Sequence, residues 1–220
     1  MPVARNATAA LPGAHAGIMA FTDFHGPYGV PDLTVLTGDG LLRRKRMRAR
    51  VAPVLNEVDA GIVSAADPKR PQSARQIAYR LRWDLDTVHR RLPIVKRSGA
   101  IMTDDAGRIT RHPAIEPIGN IFAIENKVRD WRGALRQCRN YRLWADGYVM
   151  VLAHAPESVL AVLTREVASD GGGLVVGGEA VLEVQVRTSR RSERLWASEH
   201  VVAELVARQR RRSYQPSVRP

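Results

Sequence analysis

One cysteine, Cys138, stands in 220 residues. An internal disulfide framework and a cysteine-based zinc finger are therefore excluded. A reducing, cytoplasmic setting is the simplest expectation. No run of about 18 apolar residues occurs, so no membrane span is expected. The stretch Met1–Ala20 is Ala-rich but broken by Pro12 and Gly13. It lacks the charged start and continuous apolar core of a signal peptide, and none is expected. His15, His25, His89, His112, His154 and His200 are scattered without the spacing of a helical zinc motif, so a zinc site is not expected either. Gly171-Gly172-Gly173 and Gly177-Gly178 lack the strand-loop-helix context of a phosphate loop and read as turns. Acids are also scarce: 22 Asp and Glu face 34 Lys and Arg, a net charge of +12. With 45% apolar and 25% charged residues, the chain has the balance of a folded protein with one large or two small domains.

The surplus charge is unevenly placed. Residues 1–40 carry net −2, residues 41–112 net +10, residues 113–187 net −1 and residues 188–220 net +5. An even spread would signal only solubility or a compositional habit. A basic middle segment and a basic end instead suit nucleic acid, whose phosphates release counterions when Lys and Arg approach.

Within the middle segment, Val51, Leu55, Val58 and Ile62 recur at helical spacing and predict a helix across Arg48–Ala66, ended by Asp67-Pro68. Ser73 can cap a second helix with Ala74, Ile77, Ala78 and Leu81 on one stripe. Asp84 or Asp86 can cap a third, with Val88, Leu92 and Val95 inward and Gly99 as its stop. Pro93 inside it should kink or shorten it. Ala100–Thr103 and Arg108–Thr110 around Asp104–Gly107 read as a hairpin. Three helices and a hairpin resemble the winged helix-turn-helix family, as does the phrase from Thr87 to Ile101. That resemblance places the third helix in the major groove of DNA. The DNA-binding candidates are Arg75 and Tyr79 on the second helix, Thr87, His89, Arg90 and Arg91 on the third, and Arg108 and Arg111 on the wing. The bland alternative is a winged helix used only for protein contacts, which the charge disfavours.

The flanking segments carry a second pattern. Val30–Leu36 reads as a strand with Asp32 near its start. Asn120–Val128 reads as another, and the two-residue period puts Glu125 and Lys127 on one side of it. The carboxylates of Asp32 and Glu125 suit a hard divalent cation. Such an ion polarises a phosphodiester and activates water, and Lys127 can orient that water or offset charge. A surface Glu–Lys pair is the plain alternative. Asp130 can then cap a helix over Trp131–Arg142, with Gln137 and Tyr141 four apart and so neighbours. Cys138 lies on its apolar side and reads as packing. Gly147–Ala153 is an apolar strand, Ser158–Ala168 an amphipathic helix, and Gly173–Gly177 and Val181–Val186 two more strands.

The order Pro31-Asp32, Glu125-Asn126-Lys127 and Gln137-x-x-x-Tyr141 resembles the PD-(D/E)XK nuclease superfamily, the last element its RecB-like branch. The resemblance implies an α/β fold with a restriction-endonuclease-like mixed sheet, a helix on each side, and the winged helix-turn-helix inserted. It implies Mg2+- or Mn2+-dependent DNA cleavage, with Asp32, Glu125 and the Asn126 carbonyl as metal ligands. Lys127 would act in hydrolysis, and Gln137 and Tyr141 would support the site or touch DNA. No Glu precedes Asp32, and Asp23 is the acid nearest the place where the family often carries one.

The organisation expected is a discontinuous nuclease-like domain over residues 15–42 and 113–187, an insert over 43–112, and a basic helix and tail over 188–220. The tail has a stripe of Leu195, Val202, Leu205 and Val206 and a basic end at Arg208, Arg210, Arg211 and Arg212. Its alternative is a solvated tail, and Pro216 and Pro220 suggest a disordered end. The partner expected is DNA, with no membrane and with a homodimer left open. The function expected is a metal-dependent deoxyribonuclease. The alternative is a non-catalytic DNA-binding regulator on a degenerate nuclease fold, and a mobile-element accessory protein is a weaker third.

Overall fold

A computed structural model describes residue 8 and residues 10–38, 40–187 and 191–214. Pro216 and Pro220 lie outside the described residues, as does the Arg212 side chain. The chain opens with strands β1 (Ile18–Phe21) and β2 (Leu33–Thr37). Helices α1 (Leu41–Arg48), α2 (Glu57–Ala65), α3 (Ala74–Leu81) and α4 (Leu85–Arg97) follow, then strands β3 (Ile101–Thr103) and β4 (Ile109–Arg111). The chain returns through β5 (Asn120–Lys127), α5 (Trp131–Tyr141), β6 (Gly147–Leu152), α6 (Glu157–Asp170), β7 (Gly173–Val176) and β8 (Glu179–Leu182), and ends in α7 (Arg191–Tyr214).

The fold is mixed α/β. Six strands form one mixed sheet in the order β1-β2-β5-β6-β7-β8. β5, β6 and β7 are parallel, and β1, β2 and β8 join by antiparallel pairing. The stretch Ile121–Ile124 of β5 and nearly all of β6 are apolar because both of their faces are covered. On one face, Ile121 and Ala123 meet Tyr141, Trp144, Val201 and Val202, while Tyr148 and Met150 meet Leu135, Leu163 and Val167. On the other, Phe122, Ile124, Val149 and Val151 are covered by Leu11 and Val184. Among the described residues the α-helices that meet the sheet lie on one face, and Ala14 of a short 3-10 helix, Ala14–Ala16, packs on the other. A short N-terminal segment and the chain after β8 suffice for the second face.

α2, α3, α4 and the β3–β4 hairpin share a separate core of Ile62, Val63, Ile77, Val88, Val95, Ile101 and Ile109. The helix expected from residue 48 to 66 is shorter at its start. Pro53 cannot donate a helical hydrogen bond, and the chain stays non-helical until Asn56 accepts from the Val58 and Asp59 N–H groups and starts α2. Ser73 and Gln76 close a reciprocal capping box on α3. Asp84 caps α4 through the Thr87 N–H. α4 runs through Pro93 to Arg97 without the early end expected.

α7 is packed rather than solvated. Leu195 enters the core of the three-helix unit, and Ala197, Val201, Val202 and Leu205 enter the core on the sheet. Two buried ion pairs tie it down. Arg46 of α1 grips Glu199 through two hydrogen bonds of 2.9 and 2.7 Å, and it also donates to the carbonyls of Val51 and Ala52. Arg194 donates to Asp146 at 2.7 Å and to the Ile118 and Gly119 carbonyls. No described helix is long and apolar enough to cross a membrane.

Candidate active site and nucleic-acid surface

The β2–β5 pairing builds the candidate active site. Leu33 sits opposite Ile124. One step further along an antiparallel ladder, Asp32 falls beside Glu125, and another step places Pro31 beside Asn126. Proline has no N–H to give the Asn126 carbonyl. On the same edge, the Asn126 N–H donates to Asp32 Oδ2 at 2.7 Å. Asp32 Oδ1 carries no hydrogen bond and the residue is exposed.

Glu125 is 1% exposed on the helix-covered face. Lys127 approaches its Oε1 at 2.6 Å, as the two-residue period requires. The Tyr141 hydroxyl donates to its Oε2 at 2.9 Å and lies 3.3 Å from the Val30 carbonyl. Asp32, Glu125, Asn126, Lys127 and Tyr141 therefore come together. Gln137 sits one turn before Tyr141, exposed, and makes no hydrogen bond to this group. Asp23 is exposed in a left-handed conformation, φ 56°, and likewise makes no hydrogen bond to it.

The electrostatics are coherent. The hydrogen bond to Glu125 pushes the Lys127 ammonium above its ordinary pKa of 10.5, so it stays charged at neutral pH. Burial pushes the Tyr141 phenol up, and the hydrogen bond to Glu125 adds to this. Burial does the same to the Cys138 thiol, which is no nucleophile at neutral pH.

The donor set fits a hard divalent cation. Its members are all oxygens: Asp32 Oδ1, the remaining lone pairs of Glu125, and the Asn126 carbonyl. Magnesium is commonly held by one or two carboxylates plus waters and substrate phosphates. Among the described residues no group of three or more His, Cys, Asp or Glu could hold a metal. Sequence reading passed over Thr34. It is two residues from Asp32, fully buried, and its hydroxyl has no partner. Strand alternation places it on the same face as Asp32.

The basic candidates divide into two groups. Arg75, Tyr79, His89 and Arg90 are exposed, and Thr87 is half-buried and accepts from Arg90 at 3.2 Å. Arg108 is exposed and pairs with Asp104 at 2.7 Å. Arg91 instead turns inward and makes a two-pronged contact with Asp59, at 2.8 and 2.7 Å. That contact raises its pKa and fixes α4 against α2. Arg111 is 3% exposed, which corrects its reading as a wing contact to phosphate: a side chain with so little surface cannot lie along a DNA backbone. Its Nε and Nη1 have no partner, and burial lowers its pKa. The strand alternation that exposes Thr110 partly turns Arg111 inward. Comparison with protein-family models, with curated proteins and with solved structures gave no match.

Proposed function

We propose that this protein is a DNA-binding, divalent-metal-dependent nuclease resembling the PD-(D/E)XK superfamily. In this reading the mixed sheet is restriction-endonuclease-like and α2–β4 is an inserted winged helix-turn-helix. The observation that carries it is the meeting of Asp32 with Glu125, Asn126 and Lys127 across 94 positions of chain, next to a segment of net charge +10. Chance surface pairs do not need a proline that frees a carbonyl, nor a buried tyrosine that orients a carboxylate.

Asp32, Glu125 and the Asn126 carbonyl would hold Mg2+ or Mn2+. Bound there, the ion would supply Lewis acidity toward a phosphodiester oxygen and a more acidic water. Tyr141 fixes Glu125 in one orientation, so little rearrangement remains when substrate arrives. Lys127 is protonated at neutral pH and so donates rather than accepts: it orients the attacking water or offsets charge on the phosphate oxygens. Water adds to phosphorus, one P–O bond to the sugar breaks, and the leaving oxygen takes up a proton. Thr87, His89 and Arg90 on α4 would face the major groove, with Arg91 holding that helix in place.

A second reading has its own observation. Both Glu125 oxygens are already engaged, by Lys127 and Tyr141, so the cluster is self-sufficient as a structural ion pair in a DNA-binding regulator without catalysis. Incubation of wild type and Lys127→Ala with supercoiled DNA in Mg2+, Mn2+ or EDTA separates the two. Metal-dependent cutting lost by at least a hundredfold in the variant, with binding retained, is the expected result. Sequence-specific binding with no cutting in any metal moves the reading to the regulator.

A further inference from the structure

A second feature of the basic unit points to an unpaired strand. Between α3 and the hairpin lies an open cleft whose lining includes Arg75, Gln76, Tyr79, Arg80 and Arg108, and no carboxylate. Tyr79 is 84% exposed, and among the described residues neither its ring nor its hydroxyl has a partner. Arg75 lies four residues earlier on the same face of α3 and forms no ion pair. Gln76 uses its carbonyl oxygen in the helix cap, which leaves its amide NH2 without a partner.

Each property narrows the ligand. Two lining guanidinium groups without an ion pair, Arg75 and Arg80, beside Arg108, which pairs with Asp104, select a polyanion. A flat, solvent-standing aromatic beside them selects a flat π-surface to cover it. A free amide donor selects something with acceptors at its edge. A phosphate backbone carrying an accessible base meets all three conditions. A base inside a duplex does not, because its faces are already stacked. The exposed face of α4 has no Phe, Tyr or Trp and suits duplex instead.

We infer that this cleft binds an unstacked base of a single DNA strand on Tyr79, with Arg75 and Arg80 on the flanking phosphates. The inference rests on the nuclease reading for its setting, and it makes the substrate a DNA with a duplex-to-single-strand junction.

The test is fluorescence anisotropy in EDTA with three labelled probes: a 12-nucleotide single strand, the same strand with abasic sites at its centre, and a blunt duplex. Stacking of one base on an aromatic corresponds to about a five- to hundredfold change in affinity. Tyr79→Ala is expected to weaken the intact single strand by that factor, and the abasic strand and the duplex by less than twofold. Tyr79→Phe, which keeps the ring, is expected to bind as wild type. Arg75→Ala is expected to weaken the intact and abasic strands alike. The inference is overturned if Tyr79→Ala leaves single-strand affinity unchanged, if it weakens intact and abasic strands equally, or if Tyr79→Phe behaves as the alanine variant. Cutting by wild type, followed in parallel with Mg2+, separates the two claims. Normal cutting without the Tyr79 effect removes the inference alone. The Tyr79 effect without cutting removes the nuclease reading alone.

Discussion

His200 shows how a single side chain couples packing to pH. It stands on α7 with its ring against Trp196 and Phe24, and its Nε2 is buried without a partner. Burial penalises the imidazolium and holds its pKa below the usual 6.5, outweighing a hydrogen bond to the His25 backbone and the Glu199 charge, which both favour the charged form. Above pH 6.5 the imidazole is neutral in both the folded and the unfolded chain. As pH falls below 6.5 the unfolded chain takes up the proton first, so the folded state loses stability until the folded pKa is also passed. His112 is depressed in the same direction, by burial and by Arg46 and Lys45. Urea midpoints at pH 7.5, 6.0 and 5.0 are expected to fall with pH in wild type. They should fall less steeply in His200→Phe, which keeps an aromatic ring and cannot titrate. An equally steep fall in that variant would mean that His200 is not the group responsible.

At the level of elements, Pro53 and Pro93 of the basic unit have opposite outcomes. Pro53 keeps the chain from residue 50 to 55 out of helix, and α2 waits for the Asn56 cap. Pro93 is tolerated within α4. The difference lies in what each segment can bury. Val88 and Val95 are fully buried on either side of Pro93, and Leu92 packs beside them; losing them would cost more than one missing hydrogen bond. Pro93 itself is exposed, and its lack of an N–H leaves the His89 carbonyl without its helical donor. Pro93→Ala is therefore expected to raise stability by about 1–3 kcal/mol, read as a higher urea midpoint with an unchanged slope. The same comparison explains what the sequence made legible. Caps at Ser73, Asp84 and Asp130 and apolar stripes at period 3.6 marked α3, α4 and α5 closely, and the alternation of Glu125 and Lys127 put both on one face. β1 went unseen because four residues with one buried side chain carry almost no period. The inward turn of Arg91 and Arg111 went unseen because charge alone does not say which side of an element is buried. The pairing of Asp32 with the Asn126 N–H depends on strand register, which no local pattern encodes.

For the whole molecule, α7 decides whether the parts behave as one. The charge pattern divides the chain into a near-neutral frame, a basic insert and a basic end, and three segments of this kind could unfold separately. The 24 residues of α7 span about 36 Å, enough to reach both cores. Leu195 packs with Ile115 and the insert, and Val201, Val202 and Leu205 pack over the sheet. Arg46 binds Glu199 where their side chains are 1% and 0% exposed, so separating α7 from α1 would leave two buried charges uncompensated or pull both into water. Opening either core thus strips apolar cover and an ion-pair partner from the other. The full chain is accordingly expected to unfold in one transition, with the far-UV helix signal and tryptophan fluorescence coinciding in urea. The tryptophans make this a fair test, because Trp83 and Trp196 pack against the insert core and Trp144 lies in the sheet core. Glu199→Ala, which leaves Arg46 buried without its partner, is expected to lower the midpoint by the equivalent of about 3–5 kcal/mol while keeping the two signals together. Separate midpoints in the wild type would mean that α7 joins the two cores without coupling them.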